Sequence, residues 1–230
     1  MRAKLALALS LVALAAVGGL ARAAAAAEAP TVAVLYFDYE GKDAELGLLK
    51  KGLAQMLISD LQGNESIRVV ERDRLQEVIA ELKLQGTSKI DPATAVKAGK
   101  LLGARYLVLG GYFDVMKTFR ADARVVEVET GRVMYSVGAN GKAEDFLSLE
   151  QKLSGDLGKY FSTNLPKVKA ETKRPKPPAS LKARTLLEYG RALDAIDLGD
   201  KKAGKESLEK VVKEQPDFEL ASLDLDRLMK

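Results

Sequence analysis

The chain has 230 residues, no cysteine, no histidine and a formal net charge of +4. Without those two side chains it lacks disulfides, thiolate nucleophiles, the commonest zinc ligands and the commonest general base at neutral pH. If Arg2, Lys4 and Arg22 leave with an N-terminal leader, the charge falls to +1, which does not suggest a nucleic-acid partner.

Such a leader is the first element read. Arg2 and Lys4 precede an uncharged run from Leu5 to Leu20 that is nearly all Leu, Ala and Val, and small residues follow. Ala21-Arg22-Ala23 and Ala25-Ala26-Ala27 both offer the small-x-small pattern of a signal-peptidase site, so residues 1–27 read as a secretory signal peptide. A permanent membrane anchor needs about 20 apolar residues, and Gly18, Gly19 and Arg22 interrupt this run. With no cysteine to acylate, the chain is not expected to be a lipoprotein. It is expected in the periplasm, with outer-membrane association left open.

Beyond Pro30, Thr31 to Phe37 reads as a short buried strand rich in β-branched and aromatic residues, ending in a polar loop from Asp38 to Asp43. Leu46, Leu49, Leu53, Met56, Leu57 and Leu61 recur at helical spacing until Gly63-Asn64. A strand at Ile67 to Val70 leads to Asp73, expected to cap a helix with Gln76 completing a capping box. Leu75, Val78, Ile79 and Leu82 form its buried face, and Gly86 its stop. Asp91-Pro92 starts another helix and Gly103 closes it. Tyr106 to Val115, Phe119 to Val128 and Arg132 to Val137 read as an antiparallel meander, with glycine in the tight Glu129–Arg132 turn. The apolar alternation through Phe119, Ala121, Ala123 and Val125 changes phase at Val126 and Val128, which predicts either a bulge or a strand end buried on both faces. A helix carrying Phe146, Leu149, Leu153, Leu157 and Phe161 closes the domain at about residue 163.

Helix-linked strands followed by hairpin-linked strands predict an α/β domain with a mixed sheet, spanning residues 30–163. Residues 164–180 shift to proline and lysine: Lys167, Lys169, Lys173, Arg174 and Lys176 against Glu171 give a net +4. This segment reads as a semi-rigid spacer, with weak contact to an anionic membrane surface as a second reading. Residues 181–230 read as a small all-helical tail, with Leu186, Leu187, Leu193 and Ile196 in a first helix and Gly199-Asp200 as the turn. Leu208, Val211 and Val212 lie in a second helix, and Pro216-Asp217 opens a third.

No Gly-x-Ser-x-Gly, P-loop or Gly-x-Gly-x-x-Gly occurs after a strand. Gly110-Gly111 reads as close packing of a neighbouring backbone, or as a bulge. The acidic residues Asp38, Glu40, Asp43 and Glu45 are candidates for a hard cation, but they lack the spacing of a calcium loop and read as a solvated loop. No catalytic residue, cofactor or metal ligand is assigned.

Four blocks in order carry a family resemblance: Val32 to Phe37, Val69 to Leu75 with Glu81-Leu82, Gly103 to Gly110, and Ala123 to Gly131. Together they resemble the curli-assembly CsgG-type domain, and are similar to TolB N-terminal-like domains and to lipoprotein activators of penicillin-binding proteins. The resemblance spans about residues 31–163. It implies an anticodon-binding-like α/β domain used in the bacterial envelope for docking and oligomer formation rather than catalysis. The short meander does not fit a protein that builds an outer-membrane pore. Ala192, Ala195, Gly199, Gly204, Leu208, Val211 and Pro216 resemble a single degenerate tetratricopeptide repeat, which must pack on its third helix, on the domain or on a partner.

The resulting expectation is an exported, non-enzymatic envelope adaptor or assembly protein that binds envelope proteins, with self-association as a further option. Protein binding is placed in a tail groove formed by Leu186, Tyr189, Leu193, Leu208 and Val212. A secretion-channel subunit or periplasmic ring, and a metal-binding protein using Asp38 to Glu45, stand as alternatives.

Overall fold

The structure, a computed structural model, describes residues 28–84, 91–115, 118–142, 145–168 and 174–230. The expected leader and Gly86 lie outside the described residues. Six strands form one mixed sheet: β1 (Thr31–Val34), β2 (Asp38–Tyr39), β3 (Arg68–Val69), β4 (Tyr106–Val115), β5 (Thr118–Glu127) and β6 (Val133–Lys142). The order is β3-β1-β4-β5-β6, with β2 paired to β4 beyond the end of β1. β1 is parallel to β3 and β4, whereas β4, β5 and β6 form the expected antiparallel meander. Helices α1 (Leu49–Gln62), preceded by a 3-10 turn at Leu46–Leu48, and α4 (Phe146–Asn164) cover one face. Helices α2 (Arg72–Glu81) and α3 (Pro92–Leu101) cover part of the other. The tail is α5 (Ala183–Asp197), α6 (Lys201–Glu214) and α7 (Glu219–Leu228).

Local chemistry explains most boundaries. Asp91 caps α3 as expected, its Oδ1 accepting from Ala93 N at 3.0 Å and Thr94 N at 3.1 Å. The capping box at Asp73 does not form: Glu71 takes the extended cap conformation, Arg72 is the first helical residue, and no side chain caps α2. Asp73 instead lies in the first turn, where a negative charge still complements the helix dipole. Gly103 and Gly199 adopt positive φ after α3 and α5.

The strand expected through Phe37 breaks at Val34 and resumes as β2, so Asp38 is a sheet residue rather than a loop residue. Leu35 N still donates to Val108 O at 3.0 Å and Glu40 N to Tyr112 O at 2.9 Å, so the chain follows β4 across the break. There the Phe37 ring enters the core over Gly110, where a Cβ would collide with the ring and with Asp122 O. β6 is longer than expected, reaching Lys142. Both readings of the phase change hold: the register shifts between Val125 and Val126, and these residues are buried in the cores on opposite faces.

The tail is not held away from the domain. The core beneath α1 and α4 continues without interruption into Leu186, Tyr189, Leu193, Leu208, Val211 and Phe218. The described part of the Pro/Lys segment, expected as a spacer, packs as a strap. Arg174 Nη1 donates to Asp60 O at 2.8 Å, Lys176 N to Glu219 Oε2 at 2.9 Å and Ala179 N to Asp217 Oδ2 at 3.1 Å. No described helix is long and apolar enough to cross a membrane.

Candidate functional site

The five residues expected to form a tail groove are spent inside the protein. Leu186 is 1% exposed, and Tyr189, Leu193 and Leu208 are 0%. Only Val212 is half-buried. Tyr189 packs edge-on against Phe218 with ring centroids 5.0 Å apart and donates its hydroxyl to Asp224 Oδ2 at 2.6 Å. Leu186 and Tyr189 lie against Gly52 of α1. These side chains hold the tail on the domain, so the expected binding groove is corrected to an internal interface. A lone helical hairpin has no stacking neighbour to bury its apolar face, and here α1 and α7 supply that surface.

Charged groups lock the same interface. Lys51 Nζ lies 2.7 Å from Asp194 Oδ1 and 2.9 Å from Asp197 Oδ2, and Arg72 Nη1 lies 2.5 Å from Asp197 Oδ1. Tyr36 Oη donates to Gln76 Oε1 at 2.9 Å and reaches Asp197 Oδ2 at 3.3 Å. Burial pushes the Tyr36 hydroxyl pKa up, and the charge of Asp197 adds to it. Burial alone would lower that of Arg72, but the attraction of Asp197 more than offsets it.

The surface left open is the outer face of the meander. A groove of about 1120 Å³ runs over β4 and β5 beside the start of α3. Its apolar lining includes Leu109, Phe113, Val126 and Val133, the last 53% exposed. Its acidic lining is Asp38, Glu40, Asp91, Asp122 and Glu129, with Arg124 the one base among the described lining residues. Sheet register places Gly111, Asp122 and Gly138 in one cross-strand row. A Cβ on Gly138 would collide with the Asp122 carboxylate, which Arg120 holds through two bonds of 2.8 Å. This row is therefore a shallow trough of bare backbone around one carboxylate.

The acidic residues of the expected loop are not brought together as a cation site. Asp38 and Glu40 line the groove, Asp43 Oδ1 accepts from Glu45 N at 2.8 Å, and Glu45 faces Arg191 at 3.9 Å. Among the described residues no three acidic side chains converge. Of the basic spacer residues, Lys167 pairs with Glu65 at 2.6 Å, while Lys169 and Lys173 lie outside the described residues.

Sequence reasoning missed the groove, although β5 carried its signal. Phe119, Ala121, Ala123 and Val125 point to the core, while Arg120, Asp122 and Arg124 mark the other face as uncovered.

Fold and face together define an α/β domain bearing an open groove of polypeptide dimensions. Residues 14–116 match the family model described as curli production assembly/transport component CsgG. The resemblance therefore holds through β4, and the block at Ala123 to Gly131 lies beyond the matched stretch. Among solved structures, the chain is similar to the LpoB C-terminal domain from Salmonella enterica, at 15% identity over 50% of this chain and 83% of that one, TM-score 0.41. It is also similar to lipoprotein GNA1162 from Neisseria meningitidis, at 15% identity over 58% and 98%, TM-score 0.40. A third is the PelC dodecamer from Paraburkholderia phytofirmans, at 16% identity over 56% and 88%, TM-score 0.38. No curated protein matches the chain.

Proposed function

We propose that this chain is an exported, non-enzymatic adaptor of the bacterial envelope that binds another protein on the outer face of β4, β5 and β6. The observation that carries the reading is the acid-rimmed groove beside α3, on the part of the sheet face that α2 and α3 leave open. The leader pattern of residues 1–27 and the assembly/transport description of the matching family support its placement in the envelope. On this reading the protein works in the periplasm, where its partner is another envelope protein.

Site-specific photo-crosslinking in living cells tests this. A photoreactive residue at Arg124 or Val133 is expected to trap one discrete envelope protein, while one at Lys205 on α6 traps none. Crosslinks only from Lys205, or only to a second copy of the chain, would overturn the reading.

A further inference from the structure

We infer that the groove on β4, β5 and β6 receives an amphipathic helix of the partner protein, with an apolar stripe flanked by lysine and arginine. This rests on the adaptor reading and names the ligand of the same face.

The layer arrangement points to a helix. On this face α2 and α3 cover the β1 side of the sheet, where Val78, Ile79, Ala95 and Ala98 pack with Ala33, Leu35 and Leu107. Over β5 and β6 no described element continues that layer, although Leu109, Val126 and Val133 prolong its apolar strip. A sheet face of this kind is completed by a helix, and neighbouring helices in a layer lie about 8–10 Å apart. The wall made by Pro92, Ala93 and Val96 of α3 therefore sets the next helix position over the groove.

Charge selects which helix. Five acids and one base line the groove, and Arg120, at its edge, is already held by Asp122. A helix with basic flanks meets complementary charge on balance, whereas an acidic helix meets net repulsion.

The test uses the purified full-length chain and two designed helical peptides of about four turns each. They share one leucine stripe, with lysine at the flanking positions of one and glutamate in the other. Calorimetry is expected to show the lysine peptide binding at least tenfold more tightly. Val133→Asp and Glu129→Lys each weaken it at least fivefold, and Lys205→Glu leaves it unchanged. Amide shifts on binding are expected at Leu109, Arg124 and Val126. Glu129 lies in an exposed turn, so its substitution keeps the test valid if Val133→Asp impairs folding. Equal binding of the two peptides, indifference to the Glu129 substitution, or shifts clustered on α5–α7 would overturn the inference. If the in vivo crosslink from Arg124 forms but the lysine peptide does not bind, the adaptor reading stands and the helix ligand falls.

Discussion

Glu150 on α4 is 1% exposed, and its Oε1 has no hydrogen-bond partner. Burial holds its pKa well above the usual carboxylate value, and the nearby charge of Asp60 adds to this, with Arg174 opposing. It borders a cavity of about 20 Å³, enough for one water. Met56, Asp60, Pro175, Lys176, Pro178 and Phe218 share that lining. A carboxyl whose pKa is raised on folding stabilises the fold fully below its unfolded value, here near 4.5, and that contribution is lost as pH rises through the folded value. Glu150→Gln keeps the shape without the proton. Its melting temperature is expected to equal that of the parent at pH 4 and to exceed it by a margin that grows toward pH 9, read by thermal circular dichroism. A constant difference across that range would exclude ionisation as the cause. Asp197 is a carboxylate 3% exposed at its side chain that faces two buried cations. Asp197→Asn leaves Arg72 with only the exposed Asp73 at 3.5 Å and Lys51 with Asp194 alone. Breaking one partner of a buried pair costs roughly 3–5 kcal/mol, and retention of Asp194 puts the expected loss toward the lower end in urea denaturation.

The decisive element is α5, and two bare backbone positions let it come close enough to α1 for its side chains to pack. A Cβ on Gly190 would collide with the Leu48 carbonyl, and one on Gly52 would meet Leu186 at 3.4 Å. Gly190→Val is therefore expected to push α5 off the 3-10 turn and α1, costing about 1–3 kcal/mol as overpacking does. Hydrogen exchange should accelerate in α5 and on α1, while β4 and β5 stay protected; unchanged exchange in α5 would show that this close approach does not seat the helix. These elements differ in how far they could be read beforehand. The leucine spacing in α1, the Asp91 cap and the one-sided alternation of β5 were legible because each follows from a local rule. The seat of α5 was not. Lys51, Gln55 and Ser59 recur every four residues on α1 as a polar stripe, yet all three are buried. Their burial depends on α5 and the strap, more than a hundred residues away. The candidate groove was half legible: β5 shows an uncovered polar face, but only the sheet register brings Asp38, Gly111, Asp122 and Gly138 into one row.

At the scale of the whole molecule, α1 is the keel between two halves. Eleven of its fourteen residues are buried, and a helix enclosed on every side belongs to a core rather than a surface. One face of α1 packs toward Val32, Val34 and Val69 in the sheet, and the other toward Leu186 and Tyr189. A chain ending at Ser180 would expose the second face together with Lys51, Gln55 and Met56, and would lose the carboxylates of Asp194 and Asp197. The full chain is therefore expected to unfold in one transition, with the near-ultraviolet tyrosine signal and the far-ultraviolet signal changing together. The chain ending at Ser180 is expected to melt at least about 10 °C lower, since one kcal/mol shifts a protein of this size by roughly 2–4 °C. It should also bind a hydrophobic dye that the full chain excludes. If it instead melts within about 2 °C of the full chain, the tail is a separate unit resting on the domain, and the buried Lys51–Asp197–Arg72 cluster does not couple them.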